Sequence, residues 1–154
     1  MITEWYRKIW IALCFALSAL LATAIVFLFI MPEGLEAIPF FSFISPITAA
    51  LLAVLIWPKQ QPTIWRNILS GFIISTLSHP VTWYLVFFFY WLYDVIMARL
   101  SISNLPNPIE ALQFAIGMSF WSLIIAGWIT APIGILTGII LFYIEKSWVY
   151  SKKY

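Results

Sequence analysis

The lysines and arginines of this chain fall almost entirely on one side of four apolar blocks, and this asymmetry restricts the fold more than any other feature. The blocks cover residues 10–31, 39–57, 68–93 and 119–143. One set of flanking segments holds seven of the eight basic residues: Arg7, Lys8, Lys59, Arg66, Lys146, Lys152 and Lys153. The other set holds one basic and four acidic residues: Arg99, Glu33, Glu36, Asp94 and Glu110. Because short loops rich in lysine and arginine stay in the cytoplasm, we expect four spans with both termini cytoplasmic.

Composition and length agree with this topology. Of the 154 residues, 64% are hydrophobic and 9% are charged, whereas soluble domains carry about 25% charged residues. Each block is close to the ~20 residues that a helix needs to cross the bilayer, and none has the short alternating pattern of a spanning β-strand. The segments between the blocks are too short for a soluble core. The sequence therefore predicts an all-α membrane protein, a four-transmembrane-helix bundle that forms one polytopic domain over 1–154.

The first block also has features of a cleavable signal peptide. Arg7 and Lys8 precede an apolar run, and Ala22-Thr23-Ala24 has the spacing of a cleavage site. However, the apolar run continues past this site, so we expect the block to be retained as the first span. The basic bias suits a bacterial inner membrane best, although eukaryotic membranes follow the same rule.

The fourth block has a predicted helix start well before it. Asn107-Pro108-Ile109-Glu110 has the pattern of a capping residue, a first-turn proline and an acidic third position. A helix from Pro108 to Tyr143 would be longer than the bilayer requires. We therefore expect residues 94–118 to form an outer segment that is irregular over 99–107. From Pro108 to about Met118 it should lie along the membrane interface or project outward.

Small and weakly polar residues recur at helical spacing in every block, and we expect these stripes to be helix-packing faces. Small side chains let membrane helices approach closely, since lipid gives no hydrophobic drive for their association. The fourth block contains the pattern GxxxG, which serves packing either within one chain or between two copies. The main packing candidates are Gly71, Gly127, Ala131, Gly134 and Gly138, and the stripes also include Thr23, Ser45 and Thr130.

One group of residues resembles a site. His79 is the only histidine, and its place in the third block puts it near mid-bilayer. Ionisable groups at that depth are functional candidates, and prolines there free backbone carbonyls and are expected to kink the helices. The candidate mid-membrane polar site consists of Ser75, Ser78, His79, Thr82, Pro80 and Pro132. Two alternatives stay open: His79 is a structural hydrogen-bonding residue between helices, or it contacts a ligand, a proton or a partner.

The sequence favours a non-catalytic function. It has no GxSxG motif, no carboxylate at the depth of His79, and a single cysteine, Cys14, so we expect no catalytic residue, metal site or cofactor. The net charge of +2 reflects orientation in the membrane, and no nucleic-acid binding is expected. We expect a small integral membrane protein that binds another membrane protein, or itself, and assembles, regulates, protects or inhibits it. The alternatives are a small oligomeric transporter or channel subunit that uses the His79 site and, with least support, an intramembrane enzyme.

Reporter fusions test the topology. A reporter that is active only outside the cytoplasm should give signal after Glu36 and Asn104 and none after Gln61 or Tyr154, because the basic segments stay inside. Signal at Tyr154 would contradict the predicted number of spans.

Overall fold

All regular secondary structure in the described chain is helical. The computed structural model describes residues 4–30, 38–58, 63–96 and 107–150. Helix α1 covers Glu4–Ile25 and continues as a π-helical turn over Val26–Ile30, α2 covers Ile38–Ile56, α3 covers Ile64–Ile96, and α4 covers Pro108–Tyr150. These four helices are long and apolar enough to cross a membrane, and the described residues include no strand. The all-α, multi-pass fold is thereby confirmed, whereas the cytoplasmic termini and the proline kinks stay predictions.

Some predicted boundaries concern residues that the structure does not describe. The end of the first span at Met31-Pro32 and most of the irregular stretch before Asn107 lie outside the described residues. Where the structure does describe the chain, α3 begins before and ends after the predicted third block.

The start of α4 follows directly from its sequence. The Asn107 side-chain oxygen accepts hydrogen bonds from the backbone N–H groups of Ile109 and Glu110, at 3.0 Å each, and the Asn107 backbone N–H donates to the Glu110 carboxylate at 3.1 Å. This reciprocal pair satisfies N–H groups that have no partner within a helix end. The predicted cap is thus confirmed. From Pro108, α4 runs unbroken for 43 residues, so residues 108–118 continue this helix and do not form a separate one.

Neighbouring helices run antiparallel. Aromatic pairs join the π-helical turn after α1 to the start of α2, at Phe27 and Phe41, and the middle of α1 to the end of α2, at Phe15 and Trp57. The same reversal holds between α2 and α3 and between α3 and α4. One end of the bundle, which we call the terminal end, therefore holds the start of α1, the end of α2, the start of α3 and the end of α4.

The most extensive helix contact, between α3 and α4, brings two backbones together at glycines. A Cβ atom on Gly134 would lie 2.6 Å from the backbone oxygen of Gly71 and 2.6 Å from the Cβ atom of Ser75. A Cβ atom on Gly71 would meet the backbone of Gly134, and one on Gly138 would meet the backbone oxygen of Asn67. These distances are shorter than Cβ atoms adopt, so any larger residue would force the helices apart.

A buried ion pair joins three helices at the terminal end. The Arg7 Nε atom donates to Glu145 Oε1 at 2.6 Å, and a second guanidinium N–H donates to the Pro58 carbonyl oxygen at 2.8 Å. The indole N–H of Trp57 also donates to Glu145, at 3.3 Å. Glu145 is only 4% exposed, and loss of one partner from a buried pair is far more costly than loss of a surface pair. These bonds hold α1 and α4 together at this end and bring the end of α2 to them.

Alanine substitutions test the glycine contact. Gly134→Ala and Gly138→Ala should each lower the free energy of unfolding by about 1–3 kcal/mol, the usual cost of overpacking, measured by denaturant titration in detergent. Gly117→Ala is the matched control on the same helix, since a Cβ atom there meets nothing within 4 Å. If all three variants unfold alike, α3 and α4 do not meet at these glycines.

Candidate functional site

A cavity of about 290 Å³ lies inside the bundle, and residues of all four helices line it. Most of its wall is apolar, with a set of hydroxyl groups and one imidazole among the hydrocarbon. The polar lining residues are Ser18, Thr23, Ser45, Ser75, Ser78, His79, Thr82, Ser122 and Thr130. Concave, mostly apolar sites with a few convergent polar groups are typical of small-molecule sites.

The cavity is located where the α1–α2 and α3–α4 hairpins separate. Hydrogen bonds join α1 to α4 at Arg7–Glu145 and at Ser18–Thr137, the latter 2.6 Å between hydroxyl oxygens. Arg7 lies in the first turn of α1, at the terminal end, and Ser18 lies just past the middle of this helix. Beyond Ser18, residues of α1 and α4 both line the cavity.

By contrast, the α2–α3 side-chain contacts extend from the middle of both helices toward the end opposite the terminal end. The Thr48 and Thr82 hydroxyl oxygens are 2.8 Å apart, and both residues are buried. The Phe41 and Trp83 rings pack edge to face with centroids 4.9 Å apart. The α1–α4 and α2–α3 contacts therefore lie at different levels, and residues of both hairpins line the cavity.

His79 joins α3 to α4 through both ring nitrogens. Nδ1 lies 2.9 Å from Ser122 Oγ, and Nε2 lies 2.9 Å from Thr130 Oγ1. Ser122 and Thr130 are each about one helical turn from Ala126, on opposite sides of it. Ala126 is buried, and its small side chain leaves room for an imidazole that extends between the two hydroxyls.

The hydrogen bonds of Ser122 indicate where the imidazole proton lies. The Ser122 hydroxyl donates to the Ser119 carbonyl oxygen at 3.0 Å, so its oxygen is left to accept a bond from Nδ1–H. Nε2 then accepts a hydrogen bond from the Thr130 hydroxyl. A neutral imidazole, with one donor and one acceptor nitrogen, satisfies this arrangement completely. His79 thus acts as a polar link between α3 and α4 in this structure.

The predicted polar site is brought together only in part. Ser75, Ser78, His79 and Thr82 all line the cavity. Pro80 and Pro132 do not, and Pro132 is exposed on the outside of α4. The four residues that line the cavity therefore keep their candidate status on geometric grounds, whereas the prolines belong to the helix backbone beside it.

Only some of the predicted packing residues lie at a contact between helices. Gly71, Gly134 and Gly138 lie at the α3–α4 backbone contact described above. A Cβ atom on Gly127 would meet only the Leu123 side chain of its own helix, and Ala131 is half-buried. At the level of His79 an imidazole lies between the helices, so α3 and α4 stand too far apart there for a backbone contact at Gly127.

Sequence reasoning missed several residues of the site. Ser122 was not predicted at all, while Thr23, Ser45 and Thr130 were predicted only as packing residues. A usable signal was present, because Ser122 and Thr130 lie two turns apart on one face with a small residue between them. Among the described residues, no group of three or more His, Cys, Asp or Glu residues lies close enough to hold a metal ion.

Comparisons with models of protein families, with curated protein sequences and with solved structures found no match to this chain.

A double-mutant cycle tests the link made by His79. His79→Ala and Thr130→Val should each destabilise the protein, and their coupling energy should be about 0.5–1.5 kcal/mol, the range for hydrogen bonds between membrane helices. The measurement is denaturant-induced unfolding in mixed micelles. Ser147→Ala removes an exposed hydroxyl at the end of α4 and should show no coupling to His79→Ala. Zero coupling with Thr130→Val would contradict the hydrogen bond.

Proposed function

We propose that this chain is a non-catalytic integral membrane protein that binds an apolar ligand inside its helix bundle. The observation that carries the proposal is the cavity of about 290 Å³ that residues of both hairpins line. Membrane interiors are packed closely where helices have only a structural role, as the contact at Gly71 and Gly134 illustrates. A cavity with several hydroxyls on its wall instead suits a bound molecule.

The proposal remains non-catalytic because the described lining offers no catalytic arrangement. His79 has both ring nitrogens bonded to hydroxyls of α4. Its bonding partners include no carboxylate that would orient it as a general base, as a catalytic triad requires. The site binds and positions a molecule, and a small transporter would need the same property.

The proposed location is a bacterial inner membrane with both termini in the cytoplasm. The distribution of lysine and arginine along the sequence supports this orientation.

Filling the cavity tests this function. Native mass spectrometry of the full chain, purified in mild detergent, should show an adduct of an apolar molecule. Ala22 is buried on the cavity wall, so Ala22→Phe should remove the adduct. Ala24 is exposed on the same helix, so Ala24→Phe should retain it. An adduct that persists in Ala22→Phe, or no adduct on the wild-type chain, would contradict binding in the cavity.

Binding of another membrane protein, the first expectation from the sequence, is the second candidate. The glycine face of α4 is occupied within the chain, so a partner would need a different surface. Trp128 supplies one, because it is 66% exposed near the middle of α4, whereas membrane tryptophans concentrate at the two interfaces. Large aromatic residues also dominate the energetics of protein interfaces.

Co-purification tests the second candidate. If Trp128 contacts a partner, a stoichiometric membrane protein should co-purify with the wild-type chain and be lost from Trp128→Leu. Trp65 is 77% exposed near the start of α3, so Trp65→Leu is the matched control and should retain the partner. Equal recovery with both variants would exclude Trp128 from the contact.

A further inference from the structure

We propose that the ligand of the cavity is an uncharged amphiphile, a hydrocarbon body with one hydroxyl or carbonyl group, which enters from the lipid phase between α1 and α4. This inference rests on the proposed function, because it names the chemical class of the ligand. Three features of the site support it: the absence of charge on the described lining, two hydroxyls without partners, and the direction in which the hairpins separate.

The described residues of the lining carry no formal charge. They include no Asp, Glu, Lys or Arg, and the imidazole of His79 already bonds to Ser122 and Thr130. A charged group moved from water into such a site is costly unless an opposite charge or several hydrogen bonds receive it. The cavity therefore selects an uncharged molecule.

Two hydroxyls of the lining, those of Thr23 and Ser45, can each form further hydrogen bonds. Within the described part of the chain, the side-chain hydroxyls of Thr23 on α1 and Ser45 on α2 make no hydrogen bond, although both residues line the cavity. Other hydroxyls of the lining, such as those of Ser75 and Ser78, donate to backbone carbonyls of their own helix. A free hydroxyl both donates and accepts, so Thr23 and Ser45 match a hydroxyl or carbonyl oxygen on the ligand.

The volume sets the size of the hydrocarbon body. An apolar cavity of ~150 Å³ takes up benzene, and this cavity measures about 290 Å³. By that comparison, a body of about ten carbon atoms fits the cavity. Its walls include Phe15, Phe27, Phe41, Trp83 and Trp121, which supply apolar contact along its length.

The gap between α1 and α4 gives the route of access. The last hydrogen bond that joins the two helices, counted from the terminal end, is Ser18–Thr137. Thr23 lies just over one turn farther along α1, followed by the π-helical turn that begins at Val26. The hydroxyl of Thr23 therefore lies where the helices part. A molecule dissolved in the membrane reaches it there without crossing water.

Photoaffinity labelling of the full-length chain in detergent tests the proposal. The probes are four diazirine-bearing ten-carbon chains that differ only in the end group: an alcohol, a hydrocarbon, a carboxylate and a quaternary ammonium. Labelling of cavity residues, mapped by peptide mass spectrometry, is divided by labelling of the lipid-facing residue Leu136, which corrects for partition into micelles. The alcohol should exceed each of the other three probes by about fivefold, as one hydrogen bond implies.

Removal of the Thr23 and Ser45 hydroxyls tests whether they cause the preference for the alcohol probe. In the Thr23→Val/Ser45→Ala variant, alcohol labelling should fall to the level of the hydrocarbon, while hydrocarbon labelling is unchanged and shows that the cavity is intact. Ser42 lies one turn before Ser45 but does not line the cavity, so Ser42→Ala should label like the wild type. If the variant does not fold, the comparison of the four probes on the wild-type chain still tests the chemical class of the ligand.

The outcomes separate this inference from the function on which it rests. Equal labelling by alcohol and hydrocarbon, or stronger labelling by a charged probe, would overturn the ligand class and leave ligand binding standing. If no probe labels the cavity above Leu136, both the ligand class and the proposed function are wrong.

Discussion

The approach of the α3 and α4 backbones at Gly71, Gly134 and Gly138 is the contact on which the rest of the structure depends. In lipid, helices gain nothing from hydrophobic burial against each other, so van der Waals contact and hydrogen bonds must hold them together. The glycines allow that contact over two turns near the terminal end. About two turns farther along α3, His79 replaces it with two hydrogen bonds to α4. Close backbone packing thus joins α3 and α4 near the terminal end, and hydrogen bonds join them farther along.

The remaining contacts explain why the bundle contains a cavity. Arg7–Glu145 and Ser18–Thr137 hold α1 to α4 from the terminal end to the middle of α1, while Thr48–Thr82 and the neighbouring aromatic rings hold α2 to α3 from the middle toward the other end. The two hairpins are thus joined at different levels, and residues of both line the cavity. The hydroxyls and the imidazole therefore line a shared space, in which the imidazole of His79 is bonded to Ser122 and Thr130.

The sequence predicts those parts of the fold that depend on local patterns. Four apolar blocks, the cap at Asn107 and the polar face around His79 are all visible as spacing along one helix. The partners across helices are not, because Ser122 lies far from His79 in sequence and nothing local distinguishes it from Ser119. Gly127 and Gly134 likewise belong to one stripe, yet only Gly134 meets α3, since an imidazole separates the helices at the level of Gly127. The ion pair Arg7–Glu145 and the cavity also follow from how the hairpins pack against each other, which no single helix encodes.

The central claim is that α1 and α4 meet at the terminal end and separate toward the other end. Double electron–electron resonance between spin labels measures this directly, with exposed positions Trp5 and Ser147 for the first end and Leu28 and Ile124 for the second. In both pairs the two positions lie at the same level of the antiparallel helices, in the register that joins Arg7 to Glu145. Helices that stay equally far apart along their length would therefore give equal distances. The account predicts a clearly longer distance for Leu28–Ile124 than for Trp5–Ser147. Equal distances would show that α1 and α4 pack along their whole length, and would contradict the opening between them.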